Sequence, residues 1–126
     1  MQNKSATLAT VSPVVSASKL IGEAVINRQK ENLGKVHELV IDTDRGSVAY
    51  VVLSFGGFMG MGNKLFAIPW QAFEFSKSEY KLILNVDKEK LKNAPGFDPE
   101  HMPDFADLTW GETVHSYYGF RTAWTH

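Results

Sequence analysis

The fold of this chain is decided by residues 33–70, which read LGKVHELVIDTDRGSVAYVVLSFGGFMGMGNKLFAIPW. Two dense apolar runs lie on either side of the segment Asp42–Gly46, and a third apolar run ends at Pro69 and Trp70. Runs rich in Val, Ile, Leu and Phe, separated by turns that contain Asp and Gly, predict consecutive antiparallel strands. This stretch therefore predicts a small β-domain.

The first of these strands is expected over Leu33–Thr43, the second over Ser47–Phe55 and the third over Lys64–Ile68. Both alternate sets of positions along the second strand are apolar, which predicts a central strand that is covered on both faces. Gly34 near the start of the first strand indicates a bulge or a close approach of two backbones.

The turns between the strands have their own signals. Asp42 and Gly46 predict a hairpin turn, because Asp bonds its own backbone and Gly adopts positive φ. Pro69 cannot donate to a strand ladder, so it is expected to end the third strand and leave Trp70 folded onto the core. The residues expected to hold this architecture are Gly34, Asp42, Gly46, Gly56, Gly57, Pro69 and Trp70.

Three regions are predicted along the chain. Residues 1–15 read as a flexible polar lead-in, residues 16–93 as the β-domain, and residues 94–126 as an irregular aromatic extension that packs on the barrel or on a second subunit. A helical turn over 16–22, with Ser16 or Ser18 as its cap, opens the domain. The other predicted elements are a strand over 24–27, a hairpin of strands 73–75 and 80–86, and a short helix over 87–93.

Composition narrows the class of protein. The chain has 126 residues, no cysteine and a formal net charge of −1. The lack of cysteine excludes disulfides, thiolate zinc sites and a cysteine nucleophile. Proteins that bind DNA usually carry a clear excess of Lys and Arg, which a net charge near zero does not provide. The same charge balance argues against RNA binding. No apolar run is long enough to span a membrane, so a cytoplasmic protein is the default expectation.

Several short motifs resemble the PRC-barrel family, which is named after the cytoplasmic domain of the photosynthetic reaction-centre H subunit. They are Ser18–Gly22, Leu33–Val36, Leu39–Asp42, Gly46–Phe55 and Phe66–Trp70, in this order. The resemblance implies a mainly β fold, a small and strongly bent antiparallel β-barrel with short helical turns, used for assembly or protein contacts. It implies no catalytic residue and no cofactor.

The segments Ser54–Phe58 and Val86–Phe97 resemble the stand-alone bacterial group of that family in particular. The family also includes the C-terminal domain of a ribosome maturation factor. The membrane helix of the H subunit and the second barrel of the ribosome factor have no counterpart in this sequence, so neither specific role is carried over.

Signals for chemistry are weak. Gly57 and Gly62 have the spacing of a phosphate-binding loop, but Asn63 occupies the position that needs Lys, and no Ser or Thr follows it. The Asp42–Gly46 segment lacks the further oxygen ligands of a calcium loop, and a turn explains it better.

The four histidines, at 37, 101, 115 and 126, form no metal-ligand pattern. His115 could meet Glu112 or Asp107. Ser54 lacks the glycine that a nucleophile elbow needs two residues earlier, where Val52 lies. The carboxylates of the extension are more simply a solvated loop than an acid–base pair. We therefore expect no enzyme activity and no metal site.

Partner contacts are the remaining prediction. Apolar side chains on a glycine-rich loop are hard to bury locally and suit a contact surface, as do the aromatic side chains of the extension. The predicted contact residues are Phe58, Met59, Met61, Trp110, Tyr117 and Tyr118.

Three functional hypotheses follow from these features. The first is a non-enzymatic module that forms a homodimer and binds another protein. The second is a module with a small-molecule pocket between barrel and extension, near Trp70 and Trp110. The third, an RNA-associated role, has the charge balance against it.

Overall fold

The computed structural model describes residues 14–56 and 63–121, and contains six strands and three α-helices within them. The strands are β1 (Ala24–Ile26), β2 (Asn32–Asp42), β3 (Ser47–Gly56), β4 (Asn63–Pro69), β5 (Phe73–Ser76) and β6 (Lys81–Leu84). The helices are α1 (Ala17–Leu20), α2 (Lys88–Lys92) and α3 (Leu108–Tyr117), and a 3₁₀ turn covers Trp70–Ala72.

The strands form one sheet in the order β4-β3-β2-β1-β6-β5. All neighbours are antiparallel except β1 and β6, which meet in parallel through the single pair Ile26 and Ile83. Asn27, only 1% exposed, reinforces this junction, because its Nδ2 donates to the carbonyl of Val86 at 3.1 Å. The described strands do not close into a cylinder, but the mainly β, strongly bent fold is confirmed.

Strand β3 separates two layers of packing. Val51 and Leu53 belong to an inner cluster with residues of β1, β2, β4 and β6. Tyr50 and Val52 belong to an outer cluster that also contains Val114 of α3. All four of these β3 side chains are fully buried. The prediction of a strand covered on both faces is thus confirmed, and it is the C-terminal extension that covers the outer face.

Gly34 lies where β2 passes closest to β3. Its φ is +121°, and a Cβ at this position would lie 2.2 Å from the carbonyl oxygen of Ser54. The backbones approach this closely because glycine has no Cβ and tolerates positive φ. No other residue fits here without moving β3.

The extension is more regular than its sequence indicated. Its α3 helix was not predicted; its N-cap is Asp107, whose side chain accepts from the N–H of Trp110 at 3.0 Å. Upstream of the helix, Phe97 pairs with Leu65 of edge strand β4 through two backbone hydrogen bonds of 2.8 and 2.9 Å. The extension therefore both caps a sheet edge and covers a sheet face of its own chain.

The two short helices of the domain lie close to their predicted positions. At α2, Asp87 accepts from the N–H of Lys90 at 2.7 Å, which is the expected N-cap. At α1 the predicted serine cap is wrong: Ser16 occupies the N-cap position but makes no side-chain bond to the helix, and its hydroxyl lies 3.0 Å from that of Ser18.

Candidate functional site

An open cleft lies between the β2–β3 hairpin and the extension. Its volume is about 620 Å³. Residues 40–45 of the hairpin form one wall, Phe105 and Ala106 of the extension form the other, and Ala49 and Tyr50 of β3 lie between them. Tyr50 is fully buried. The cleft exists because the extension folds back across the outer face of the sheet.

A bulge in β3 shapes this cleft. The strand register shifts so that Val40 faces Tyr50 and Ile41 faces Val48, which leaves Ala49 without a direct partner on β2. In a regular strand neighbouring side chains point to opposite faces. The bulge breaks that alternation, and Ala49 and Tyr50 both line the cleft. Ile41 is left 54% exposed at its rim.

The tip of the hairpin is held by Asp42. Its Oδ1 accepts from the N–H groups of Asp44 and Arg45, both at 3.0 Å, and its backbone carbonyl accepts from the N–H of Gly46 at 2.8 Å. Gly46 has a φ of +69°. This is the turn favoured over a calcium loop, because the Asp42 oxygen that a cation would need is already used by the backbone.

Aromatic rings hold the extension against the sheet. The ring centroid of Tyr50 lies 5.2 Å from that of Trp110 and 6.1 Å from that of Phe105. Phe105 and Trp110 meet edge to face at 5.5 Å. Such pairs add to the burial of their own area. Burial also raises the pKa of Tyr50 to about 12, so its phenol remains neutral at physiological pH.

Charges at the mouth of the cleft are mostly negative. Asp42 and Asp44 lie on the hairpin wall, and Asp104 accepts from the N–H of the cleft residue Ala106 at 3.0 Å. One cation, Arg45, lines the same wall, with its Nε 3.5 Å from Oδ2 of Asp42. Asp42 and Asp44 thus outnumber the one cationic side chain among the lining residues, and Asp104 lies beside the lining residue Ala106.

His115, behind the cleft, was missed as a buried residue. It is 2% exposed, meets the ring of Tyr50 edge to face at 5.3 Å, and donates through Nδ1 to the carbonyl of Gly111 at 2.9 Å. The expected contact with Glu112 or Asp107 stays a prediction. Burial lowers its pKa, and the bond to Gly111 opposes this in part.

A helical signal could have revealed this face. Gly111, Val114, His115 and Tyr118 have the i, i+3, i+4, i+7 spacing of one side of a helix. The first three are buried, and Tyr118 packs against both clusters. The exposed rim also had a signal. Leu39, Val40 and Ile41 are consecutive apolar residues before the turn, whereas strict alternation of apolar and polar residues would make only two of them apolar.

The predicted contact residues fall in different places. Phe58, Met59 and Met61, with Gly57, lie outside the described residues. Trp110, Tyr117 and Tyr118 are half-buried against their own barrel, and Tyr117 donates its hydroxyl hydrogen to the carbonyl of Lys90. Their role as partner contacts stays a prediction.

Three of the predicted structural residues, Gly56, Pro69 and Trp70, lie at strand ends in the described part of the chain. Pro69 is the last residue of β4 and Gly56, with a φ of +99°, is the last of β3. Trp70 packs against the inner cluster. A space between barrel and extension was anticipated near Trp70 and Trp110, but the cleft lies beside the hairpin tip and neither tryptophan lines it.

Two other classes of site have no support in the described ranges. No group of three or more His, Asp or Glu side chains within 14–56 and 63–121 is arranged to hold a metal ion. No helix of this part of the chain is both long and apolar enough to cross a bilayer.

Comparison with known proteins places the fold in a family. No curated protein matches the chain at a significant level. One similar solved structure, from Pseudomonas aeruginosa, is described as a 16S ribosomal RNA processing protein, RimM; it is 17% identical, with a TM-score of 0.40. The match covers 64% of this chain and 48% of that one, so this chain spans about half the length of that structure. The family model of the PRC-barrel domain matches residues 13–91, which is more than half of the sequence. The chain therefore belongs to the PRC-barrel family.

Proposed function

We propose that this PRC-barrel protein is a non-enzymatic interaction module that binds another protein at the cleft between its β2–β3 hairpin and its C-terminal extension. The observation that supports this most is Ile41, an isoleucine more than half exposed beside an open cleft whose opposite wall includes Phe105. Exposed apolar groups that border a concave surface are typical of contact sites.

The way the cleft is held together supports a role as a binding surface. Its shape is fixed by the Asp42 turn and by the rings of Tyr50, Phe105 and Trp110, so a partner would meet a preformed surface. Preformed surfaces lose little conformational entropy on binding. The proposal also includes self-association as a homodimer and a location in the cytoplasm, both of which the sequence analysis expects.

Affinity capture from a native lysate, followed by mass spectrometry, tests this with two variants of the tagged protein. Ile41→Asp places a charge at the rim of the cleft. Ile21→Asp is the matched control, because Ile21 is a similarly exposed isoleucine (45%) that does not line the cleft. Circular dichroism checks that both variants fold.

The expected result is a partner that the wild type and Ile21→Asp retain and Ile41→Asp loses. A partner captured equally by all three proteins would move the interaction elsewhere on the chain. Equilibrium sedimentation of the same proteins tests the homodimer, which predicts a mass of twice 14.1 kDa.

A second candidate function is the binding of a small molecule in the same cleft. Its volume of about 620 Å³ lies within the range of roughly 300–1,000 Å³ that ligand pockets occupy. A ligand that binds only the folded state raises the melting temperature. A metabolite that does so for the wild type and Ile21→Asp, but not for Ile41→Asp, would favour this candidate over a protein partner.

A further inference from the structure

We infer that the cleft receives a segment of a partner protein in which an apolar or aromatic side chain is flanked by Lys or Arg; this rests on the proposed function and specifies the chemistry of its partner. The inference depends on two properties of the cleft. Its lining includes a group of apolar side chains, and the acidic side chains in and beside it outnumber the basic one.

The interior suits one large apolar side chain. Ile41 and Phe105 stand on opposite walls, with Ala49 and the ring of Tyr50 between them. Ala49 contributes only a methyl group to this lining. An aliphatic or aromatic side chain inserted there would remove the exposed face of Ile41 from water, which is the main favourable term in such contacts.

The mouth selects the residues on either side of that anchor. Arg45 has a carboxylate neighbour, since its Nε lies 3.5 Å from Oδ2 of Asp42. Asp44, on the hairpin wall, and Asp104, which bonds the lining residue Ala106, have no cationic partner among residues 14–56 and 63–121. Asp104 stays beside the cleft because its Oδ1 accepts from the N–H of Ala106. A segment lying across the opening would therefore pass close to two carboxylates that lack a cation.

The same charges exclude other occupants. A nucleic-acid backbone or an acidic peptide would bring further negative charge toward Asp42, Asp44 and Asp104, which is unfavourable. A neutral apolar segment would fill the interior but leave Asp44 and Asp104 unmatched. A cationic flank satisfies both walls, and because these groups are exposed its contribution is sensitive to salt.

The experiment is a selection of random dodecapeptides displayed on phage against the full-length protein, at low salt, with Ile41→Asp as the parallel target. The expected result is enrichment of peptides with an apolar or aromatic residue that has Lys or Arg within three positions, on the wild type and not on the variant. Enriched peptides that depend on Ile41 but lack Lys and Arg would overturn the charge inference and leave the proposed function standing. Failure to enrich any peptide that depends on Ile41 would overturn both.

A synthetic peptide from that selection, labelled with fluorescein, then measures the charge contribution by fluorescence anisotropy. An exposed charge pair changes affinity by up to about fivefold. The double variant Asp44→Asn with Asp104→Asn is therefore expected to weaken binding by up to about 25-fold at 50 mM salt and to reduce the salt dependence. The amide at position 104 keeps the oxygen that bonds Ala106.

The control double variant is Glu89→Gln with Glu100→Gln, which removes two exposed carboxylates that neither line the cleft nor bond a lining residue. It should bind the peptide within about twofold of the wild type. Equal weakening by both double variants would show that overall charge, rather than the mouth of the cleft, attracts the peptide, and would overturn the inference.

Discussion

Replacing Gly34 by alanine should destabilise the barrel more than a glycine-to-alanine change at an open turn does. The added Cβ would lie 2.2 Å from the carbonyl oxygen of Ser54, 3.1 Å from its carbonyl carbon and 3.3 Å from Cα of Phe55. All three are backbone atoms of β3, so no side-chain rotation can relieve the contact. The carbonyl must move by about an ångström, at the pairing of Lys35 with Ser54.

The expected cost combines two effects. A non-glycine residue in a sterically disfavoured region with positive φ costs about 1–3 kcal/mol, and Gly34 has a φ of +121°. Forcing an extra carbon into a packed site costs a further 1–3 kcal/mol or so. The alanine variant also has lower conformational entropy in the unfolded state, which stabilises the fold by roughly 0.5 kcal/mol. We expect the free energy of unfolding to fall by about 3 kcal/mol.

Gly46→Ala is the matched control, because Gly46 also has a positive φ (+69°) but nothing lies within 4 Å of the added Cβ. It should cost about 1 kcal/mol. Urea unfolding followed by tryptophan fluorescence measures the free energy of unfolding of both variants. If this free energy falls by about 2 kcal/mol per molar urea, the midpoint of unfolding for Gly34→Ala lies about 1.5 M below that of the wild type. Equal costs for the two variants would refute the argument, since the close approach to Ser54 would then contribute nothing.

Three further predictions use the same unfolding assay. Burial lowers the pKa of His115, so the unfolded state binds more protons than the folded state below about pH 6.5. The free energy of unfolding should therefore fall as the pH drops from 7 to 5, and it should fall less steeply in His115→Gln. Equal slopes for the two proteins would contradict this. The hydroxyl of Tyr118 is buried without a partner in the described residues, so Tyr118→Phe should raise the free energy of unfolding by about 1 kcal/mol, whereas a loss of that size would show a missed bond. Asp42→Ala removes the acceptor for the N–H groups of Asp44 and Arg45 and should lower the free energy of unfolding by about 2 kcal/mol. Asp42→Asn keeps an oxygen there and should lower it by less than half as much. Similar losses in the two variants would exclude the two bonds as the cause.

The sheet was predictable because its signals are local. Strands β2 and β3 were placed within a residue or two of their observed ends, since apolar runs and the Asp42–Gly46 turn define a hairpin without reference to the rest of the chain. The two-sided burial of β3 followed in the same way, from apolar residues at both alternate sets of positions.

The α3 helix was harder to predict because its stability comes from tertiary packing. Gly111 lies inside it and costs about 1 kcal/mol in a helix, and Trp110, Thr113 and Val114 are weak helix formers. The helix forms because Val114 and His115 are buried against the sheet. A single-sequence reading sees the weak propensity and not the apolar face that offsets it.

The sequence predicted a space between the barrel and the extension, but not its position beside the hairpin tip. A space between barrel and extension follows from an aromatic tail that must pack somewhere. Its position depends on the bulge at Ala49, which no glycine or proline marks, and on the packing of Phe105 against Tyr50, two residues far apart in sequence. The contact between Phe105 and Tyr50 leaves no local pattern in the sequence.

The single parallel junction between β1 and β6 has a consequence for the order in which the chain folds. The β2–β3 hairpin and the β5–β6 hairpin each close a short loop, whereas the bond from Asn27 to Val86 joins residues 59 positions apart. Closing a long loop has a larger entropic cost, and contacts of high sequence separation slow folding. We therefore expect the hairpins to form early and the Asn27 junction to set the height of the kinetic barrier. The speed at which this barrel assembles then depends less on its long, strongly apolar strands than on one buried asparagine.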